Sequence, residues 1–181
     1  MTQVPIDRSY WVEPGLFLAG AFPGHPDPEQ ATARIRAFLS AGIRTFVNLM
    51  FEYETDHDQN LFVPYAPTVE HEAARMGIEA HCHRYRIRDV STPSIELMDE
   101  IQATLRESFA RNAPVYVHCW GGKGRTGQVV GIYLIEQGLA TSEDFVQVIA
   151  ELREADTGGG ESPETLEQID FVTSYVEARR R

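Results

Sequence analysis

The spacing of apolar side chains divides the chain into segments of two alternating kinds. Short apolar runs bounded by turn residues predict strands at Tyr10–Val12 and Leu16–Ala19, on either side of the Pro14-Gly15 turn. Further strands are predicted at Ile43–Met50, Ile78–Ile87 and Pro114–Val117. Between them, apolar positions recur at helical intervals. Ala31, Ile35, Phe38 and Leu39 follow Asp27-Pro28-Glu29-Gln30, in which aspartate can cap and proline fits the first turn, and Gly42 ends the helix. A second helix is predicted over Thr68–Met76. Ile95, Met98, Ile101, Leu105 and Phe109 mark a third, after Thr92-Pro93-Ser94. Thr126–Gln137 is apolar nearly all round, which predicts a buried central helix. Phe145, Val148, Ile149 and Leu152 form another stripe. Thr157-Gly158-Gly159-Gly160 is expected to be a flexible break, and Ser162-Pro163 to restart a last helix with Leu166, Ile169 and Val172 inward. The polar and acidic stretch Glu52–Pro67 is expected to be a long surface loop, and Arg179-Arg180-Arg181 a frayed, solvated tail.

This alternation predicts an α/β fold: one domain over residues 1–181, its core at about 10–176, with a mixed, largely parallel sheet flanked by helices. With 181 residues, 43% of them apolar, the chain can bury a sizeable core without disulfides. Lys plus Arg total 16 against 27 Asp plus Glu, a formal charge of −11. That balance argues against nucleic acid or an anionic membrane as the main partner. It leaves room for a basic pocket that takes a phosphorylated protein or a small phosphorylated molecule. No stretch is apolar enough to span a bilayer, so no stable membrane association is expected. Met1–Arg8 lacks the apolar stretch of a secretory signal, and two cysteines, Cys82 and Cys119, are too few for a disulfide framework; a reducing cytoplasm is the expected location.

The densest chemistry lies directly after the Pro114–Val117 strand, in His118-Cys119-Trp120-Gly121-Gly122-Lys123-Gly124-Arg125-Thr126. Hydrolysis of a phosphate ester needs a nucleophile, a cradle for the phosphoryl oxygens and an acid for the leaving group. The spacing from Cys119 to Arg125 allows the backbone to curl around one tetrahedral anion. Gly121, Gly122 and Gly124 free it to turn N–H groups inward as a nest, and the Thr126 helix points its positive end at the same place. That field favours a thiolate, which predicts a lowered pKa for Cys119. Arg125 can grip two phosphoryl oxygens at once. A Walker-type nucleotide loop does not fit, because Lys123 is followed by Gly124 and Arg125 rather than by Ser or Thr.

These residues resemble the active-site loop of the Cys-x5-Arg protein tyrosine phosphatase superfamily, and more closely its dual-specificity branch. The Gly-Gly at 121 and 122 is similar to the loop of the cyclin-dependent-kinase-associated phosphatase. Lys123 is similar to the lysine in phosphoinositide phosphatases related to the tumour-suppressor lipid phosphatase, although Trp120 stands where those enzymes often carry a second basic residue. The resemblance implies a dual-specificity-like fold and no cofactor or metal. It implies Cys119 as nucleophile, Arg125 as phosphate clamp and Thr126 as the hydroxyl that eases thiolate departure. His118 would hold the loop and tune Cys119, and Trp120, Gly121, Gly122, Lys123 and Gly124 would line the phosphate site. Asp89, at the end of the Ile78–Ile87 strand, sits where the family places its general acid; Asp56 or Asp58 is the alternative if the Glu52–Pro67 loop folds over the pocket.

Other residues carry weaker signals. Lys123 is the single lysine beside 15 arginines. Arg84, Arg86 and Arg88 share a strand face and could line the rim. His81 and His83 share a face too, but two histidines do not make a metal site. Cys82 is either a core residue or a partner that traps oxidised Cys119 as a disulfide. Gln168 and Phe171 read as packing. Tyr53 and Tyr65 sit in the polar loop with nothing in their spacing to single them out. The leading function is therefore phosphomonoester hydrolysis through phosphocysteine, on protein phosphotyrosine with or without phosphoserine and phosphothreonine. The alternatives are a phosphoinositide or inositol polyphosphate phosphatase and an inactive phosphate-binding interaction module; an RNA 5′-phosphatase and a sulfur-transfer enzyme fit less well.

Overall fold

The computed structural model describes residues 3–180. Five strands, β1 (Ser9–Glu13), β2 (Phe17–Gly20), β3 (Thr45–Asn48), β4 (His81–Arg84) and β5 (Val115–His118), form one sheet in the order β1-β2-β5-β3-β4. Only the β1–β2 pair is antiparallel; β2–β5, β5–β3 and β3–β4 are parallel. Six helices complete the fold: α1 (Pro28–Ser40), α2 (Ala66–Met76), α3 (Ile95–Ala110), α4 (Gly124–Glu136), α5 (Phe145–Leu152) and α6 (Leu166–Arg180). The mixed, mostly parallel α/β architecture is the one the alternation predicts. Among the described residues no helix is long and apolar enough to cross a membrane.

Strand alternation sends side chains to two separate cores. Leu18, Phe46 and Tyr116 pack with Ile35, Phe38 and Leu39 of α1 and Val69 and Ala73 of α2. Their neighbours Phe17, Ala19, Val47, Val115 and Val117 pack against α3, α4, α5 and α6 on the opposite face. Helix starts follow local chemistry. The Asp27 carboxylate accepts the Gln30 N–H at 2.9 Å, and Ser94 Oγ accepts the Leu97 N–H at 3.2 Å, so each satisfies an amide that the first turn cannot. Helix α4 is buried from Gly124 to Ile135, as its all-round apolar pattern requires. It leaves the C-terminal end of the central strand β5, the edge at which parallel sheets place ligands.

Several local expectations are corrected. The Ile78–Ile87 run pairs only over His81–Arg84, as an edge strand with His81 and Cys82 exposed. The second helix begins at Ala66, with Pro67 in its first turn. In α6 the buried stripe is Gln168, Val172, Tyr175 and Val176, while Leu166 is 79% exposed. A polar residue, Gln168, takes a core position there and rotates the stripe away from the one its apolar residues suggest. Thr157–Gly160 is tethered rather than a free break. The buried Arg153–Asp156 ion pair (2.7 Å) stands beside it, and Arg153 donates to Gly160 O (3.0 Å) and Gly159 O (3.2 Å). Arg179 does not fray: its guanidinium lies 3.6 Å from the Tyr175 ring centroid and pairs with Asp99. Arg181 lies outside the described residues.

Candidate active site

The residues between β5 and α4 form the turn that the glycines foreshadow. Cys119 is 3% exposed at its start. Gly122 has φ +72°, and a Cβ there would lie 2.3 Å from Gly20 C and 2.6 Å from Ala21 N. Both the left-handed backbone and the close approach to β2 therefore require glycine. Within the described residues, the N–H groups of Trp120, Gly121, Gly122 and Lys123 donate to no acceptor. The Gly124 N–H, at the head of α4, donates instead to Glu164 Oε2 at 2.9 Å. Further buttresses come from Arg8, which donates to Gly121 O (3.2 Å), and Ser162, whose hydroxyl donates to Lys123 O (3.0 Å). The turn is thus clamped from outside while most of its amides stay available.

Arg125 is 1% exposed, and its guanidinium gathers Leu49, Glu54, Ile87 and Asp89. Nη1 donates to Glu54 Oε1 (2.6 Å), Ile87 O (3.1 Å) and Leu49 O (3.4 Å), and Nη2 donates to Glu54 Oε2 (3.0 Å). Asp89 Oδ1 lies 2.8 Å from Nη2. Nε has no partner among the described residues, although it is buried. A buried charged donor left open is costly, so this edge of the guanidinium is the natural seat of an anion. Thr126 Oγ1, one residue on, is likewise buried without a partner among the described residues.

Asp89 and Arg125 were singled out separately in the sequence and meet here; the Asp89 side chain is 46% exposed, so it can turn toward solvent or substrate. Glu54 was missed. It sits inside the expected surface loop, yet its side chain is only 13% exposed, and its Oε1 also accepts the Phe51 N–H at 2.8 Å. The loop does reach the site, but through Glu54 rather than Asp56 or Asp58. The Asp56 carboxylate is occupied by its own turn, accepting the N–H groups of Asp58 and Asn60 at 2.9 Å each.

His118 explains how the turn is anchored below. It is fully buried; its Nδ1 lies 3.1 Å from Cys119 O and its Nε2 2.7 Å from Tyr65 Oη. A carbonyl can only accept, so Nδ1 carries the proton and Nε2 accepts from the tyrosine hydroxyl. Burial, aided by the charges of Arg84 and Arg125 and opposed by the Cys119 carbonyl, pushes the imidazole pKa down to about 3. His118 is therefore neutral at physiological pH, which suits a holding role and not a proton donor's. Tyr65 has the same logic: burial holds its hydroxyl well above the usual range, so it stays a donor. Tyr65→Phe is expected to leave Nε2 buried without its partner and to cost about 1–3 kcal/mol. Chemical denaturation would measure it, and an unchanged midpoint and slope would contradict this role for the tyrosine.

The remaining candidates separate clearly. Trp120 packs against His57 (4.6 Å between centroids) and Phe62 (5.8 Å). Lys123 Nζ is 3.7 Å from Glu164 Oε1, so the lone lysine is partnered by the carboxylate that holds Gly124. Arg86 pairs with Glu52 (2.5 Å), and Arg84 donates to Met50 O (2.8 Å); both pin the entry to the Glu54 loop. Gln168 does more than pack, since its side chain donates to Ser91 O (3.3 Å) and accepts from Glu164 N (3.0 Å), tying the segment after Asp89 to α6. Cys82 pairs in register with Phe46, and Phe46 with Tyr116. Cys119 thus lies two strands and three residues away, on the order of 14 Å from strand spacing and rise. Disulfides bridge Cα atoms at most ~7 Å apart, so the fold separates this pair. Among the described residues His81 and His83 join no cluster able to hold a metal ion.

A family model described as Swiss Army Knife protein, DSP-PTPase phosphatase domain, matches residues 7–162, which takes in the whole turn, Glu54 and Asp89. The chain belongs to this family. Among curated proteins, an uncharacterized protein of Methanocaldococcus jannaschii is 30% identical over 95 residues, 52% of this chain and 55% of that protein. The chain spans about half the length of the curated relatives it matches. Many solved structures share the fold of this DSP-PTPase domain. Tk-PTP in its active form aligns with TM-score 0.65 at 23% identity, covering 95% of this chain and 97% of that one. PTPMT1 in complex with PI(5)P aligns with TM-score 0.69 at 19% identity, covering 96% and 99%.

Proposed function

We propose that the chain hydrolyses phosphomonoesters through a phosphocysteine on Cys119, with no metal required. The observation that carries this reading is the buried Arg125 guanidinium, which leaves Nε open while the half-exposed Asp89 carboxylate rests on Nη2. A phosphoryl group gripped by Nε and Nη2 displaces Asp89 from Nη2. Glu54 keeps the opposite edge of the guanidinium in place. The thiolate of Cys119 attacks phosphorus, the S–P bond forms, the P–O ester bond breaks, and Asp89 gives its proton to the leaving oxygen. Water then attacks phosphorus and passes a proton to Asp89, the S–P bond breaks, and the Thr126 hydroxyl donates to the departing thiolate. The free turn amides and the head of α4 take up the charge that develops on the phosphoryl oxygens.

The substrate reading we favour is protein phosphotyrosine, with dual specificity extending it to phosphoserine and phosphothreonine. An inositol phosphate is the second reading, raised by Lys123; its pairing with Glu164 lowers the weight of that signal. A binding module without activity would need the cradle but not Asp89 and Thr126. A free thiol nucleophile suits a reducing compartment, the cytoplasm. The test is turnover by the purified protein in EDTA, on phosphotyrosine and phosphoserine peptides and on soluble inositol phosphates. Loss of activity with the chelator would rule out the mechanism, and no turnover of any substrate would favour the binding module. Asp89→Asn is expected to lower kcat for an alkyl phosphate by about 10²–10⁴-fold, with a smaller effect on leaving groups that depart unprotonated. Equal kcat for the two proteins on the alkyl ester would remove Asp89 from the acid's role.

A further inference from the structure

Beside the nucleophile turn lies a cavity of ≈ 690 Å³, within the range of small-molecule sites. Trp120 is shared between the two: it follows Cys119 in the chain, so their Cα atoms are ~3.8 Å apart, and it also lines the cavity. Phe22 and Phe62 form apolar wall around it, packed ring to ring at 4.8 Å. Arg8, Arg34 and His25 line the same space. Each arginine makes one recorded backbone contact, Arg8 to Gly121 O at 3.2 Å and Arg34 to Gly24 O at 3.1 Å. Among the described residues neither has a carboxylate within ion-pair distance, in a chain where acids outnumber bases 27 to 16. His25 Nδ1 accepts the Asp27 N–H at 3.1 Å, which leaves Nε2–H as a donor. Of the two carboxylates that line the cavity, Asp56 accepts on both oxygens within its own turn, and Asp7, exposed like Arg8, pairs with neither arginine among the described residues.

We infer that this cavity binds the organic part of a bis-anionic phosphoester, such as a phosphotyrosine with an acidic neighbour, with an apolar or aromatic body against Trp120 and Phe22 and a second anionic group gripped by Arg34 and Arg8. The inference rests on the hydrolytic reading for the role of the first phosphate, but the cavity itself can be tested without it. Arginine suits the second group because its fork can hold two oxygens of a carboxylate or phosphonate. The aromatic wall sets the body, and Arg8, which donates to Gly121 O at 3.2 Å, puts the second anion next to the nucleophile turn.

The experiment compares phenyl phosphate with phenyl phosphates carrying a para-carboxymethyl or a para-phosphonomethyl group. The wild-type protein is expected to prefer a bis-anionic ester by about tenfold or more in kcat/KM, and Arg34→Met to lower that preference about tenfold. Arg34→Lys should restore part of it. The two anionic arms tell whether carboxylate or phosphonate is the better second group. Calorimetric titration of Cys119→Ser with the same esters reads binding without turnover. Phenyl phosphate turnover with no bis-anionic preference would overturn the cavity proposal and leave the hydrolytic one standing. Arg34-dependent binding without any turnover by the wild type would do the reverse.

Discussion

Arg125→Lys is expected to lower kcat/KM on any phosphomonoester by about 10³-fold, even though the charge is kept. The guanidinium serves two edges at once. One edge holds Glu54 through Nη1 and Nη2 and reaches the Ile87 and Leu49 carbonyls; the other presents Nε, open and buried, beside Nη2. An ammonium is a point charge with no second edge. It can satisfy Glu54 or a phosphoryl group, but it cannot hold one while orienting the other. Steady-state kinetics, with thermal unfolding to separate folding from catalysis, would measure it. Activity within a few-fold of wild type would mean that Arg125 is a structural ion-pair partner only.

Gly122→Ala is expected to remove about 10²-fold or more of activity by displacing the turn. A left-handed backbone already costs a side-chain-bearing residue about 1–2 kcal/mol. The larger obstacle is steric, because the new Cβ would meet Gly20 C at 2.3 Å. Gly20 cannot retreat, since β2 is paired with Ser9 on one side and His118 on the other. The turn must move instead, and with it the open amides of Trp120, Gly121, Gly122 and Lys123. Gly138→Ala is the matched control: φ is +68° there, with nothing within 4 Å of the added Cβ. It should carry the backbone strain alone, visible in stability and not in kinetics. Equal kinetic effects from the two substitutions would contradict the steric account.

The part of the site that was legible in the sequence is the part built from neighbours in the chain. Cys119 and Gly122 lie in the turn after β5, Arg125 and Thr126 in the first turn of α4, and strand, glycine and helix signals locate the segment together. Asp89 could be found because a strand-like run ends just before it, although the run pairs only over His81–Arg84. Glu54 could not be found this way. It reaches Arg125 across 71 residues, from a polar loop with no periodicity, and an acidic residue there reads as solvated surface. Tyr65, bonded to His118 across 53 residues, was hidden for the same reason. Glu164 and Gln168 show a second kind of limit. Gln168 is a buried polar residue bonded to Ser91 and Glu164 an exposed one bonded to Gly124, and at neither does a hydrophobic pattern carry a signal. The fold was more legible than the site because two-sided burial of a parallel sheet writes itself into apolar runs, while a polar network is specified only by the pairs it joins.

The most direct measurement is to quench a reaction of the purified protein with a phosphotyrosine peptide in EDTA, and to map by mass spectrometry the residue that carries phosphate. One phosphoryl group is expected on Cys119, absent in Cys119→Ser and accumulating in Asp89→Asn under a substrate with a good leaving group. Turnover that proceeds with no phosphate on Cys119, or that continues in Cys119→Ser, would contradict this expectation.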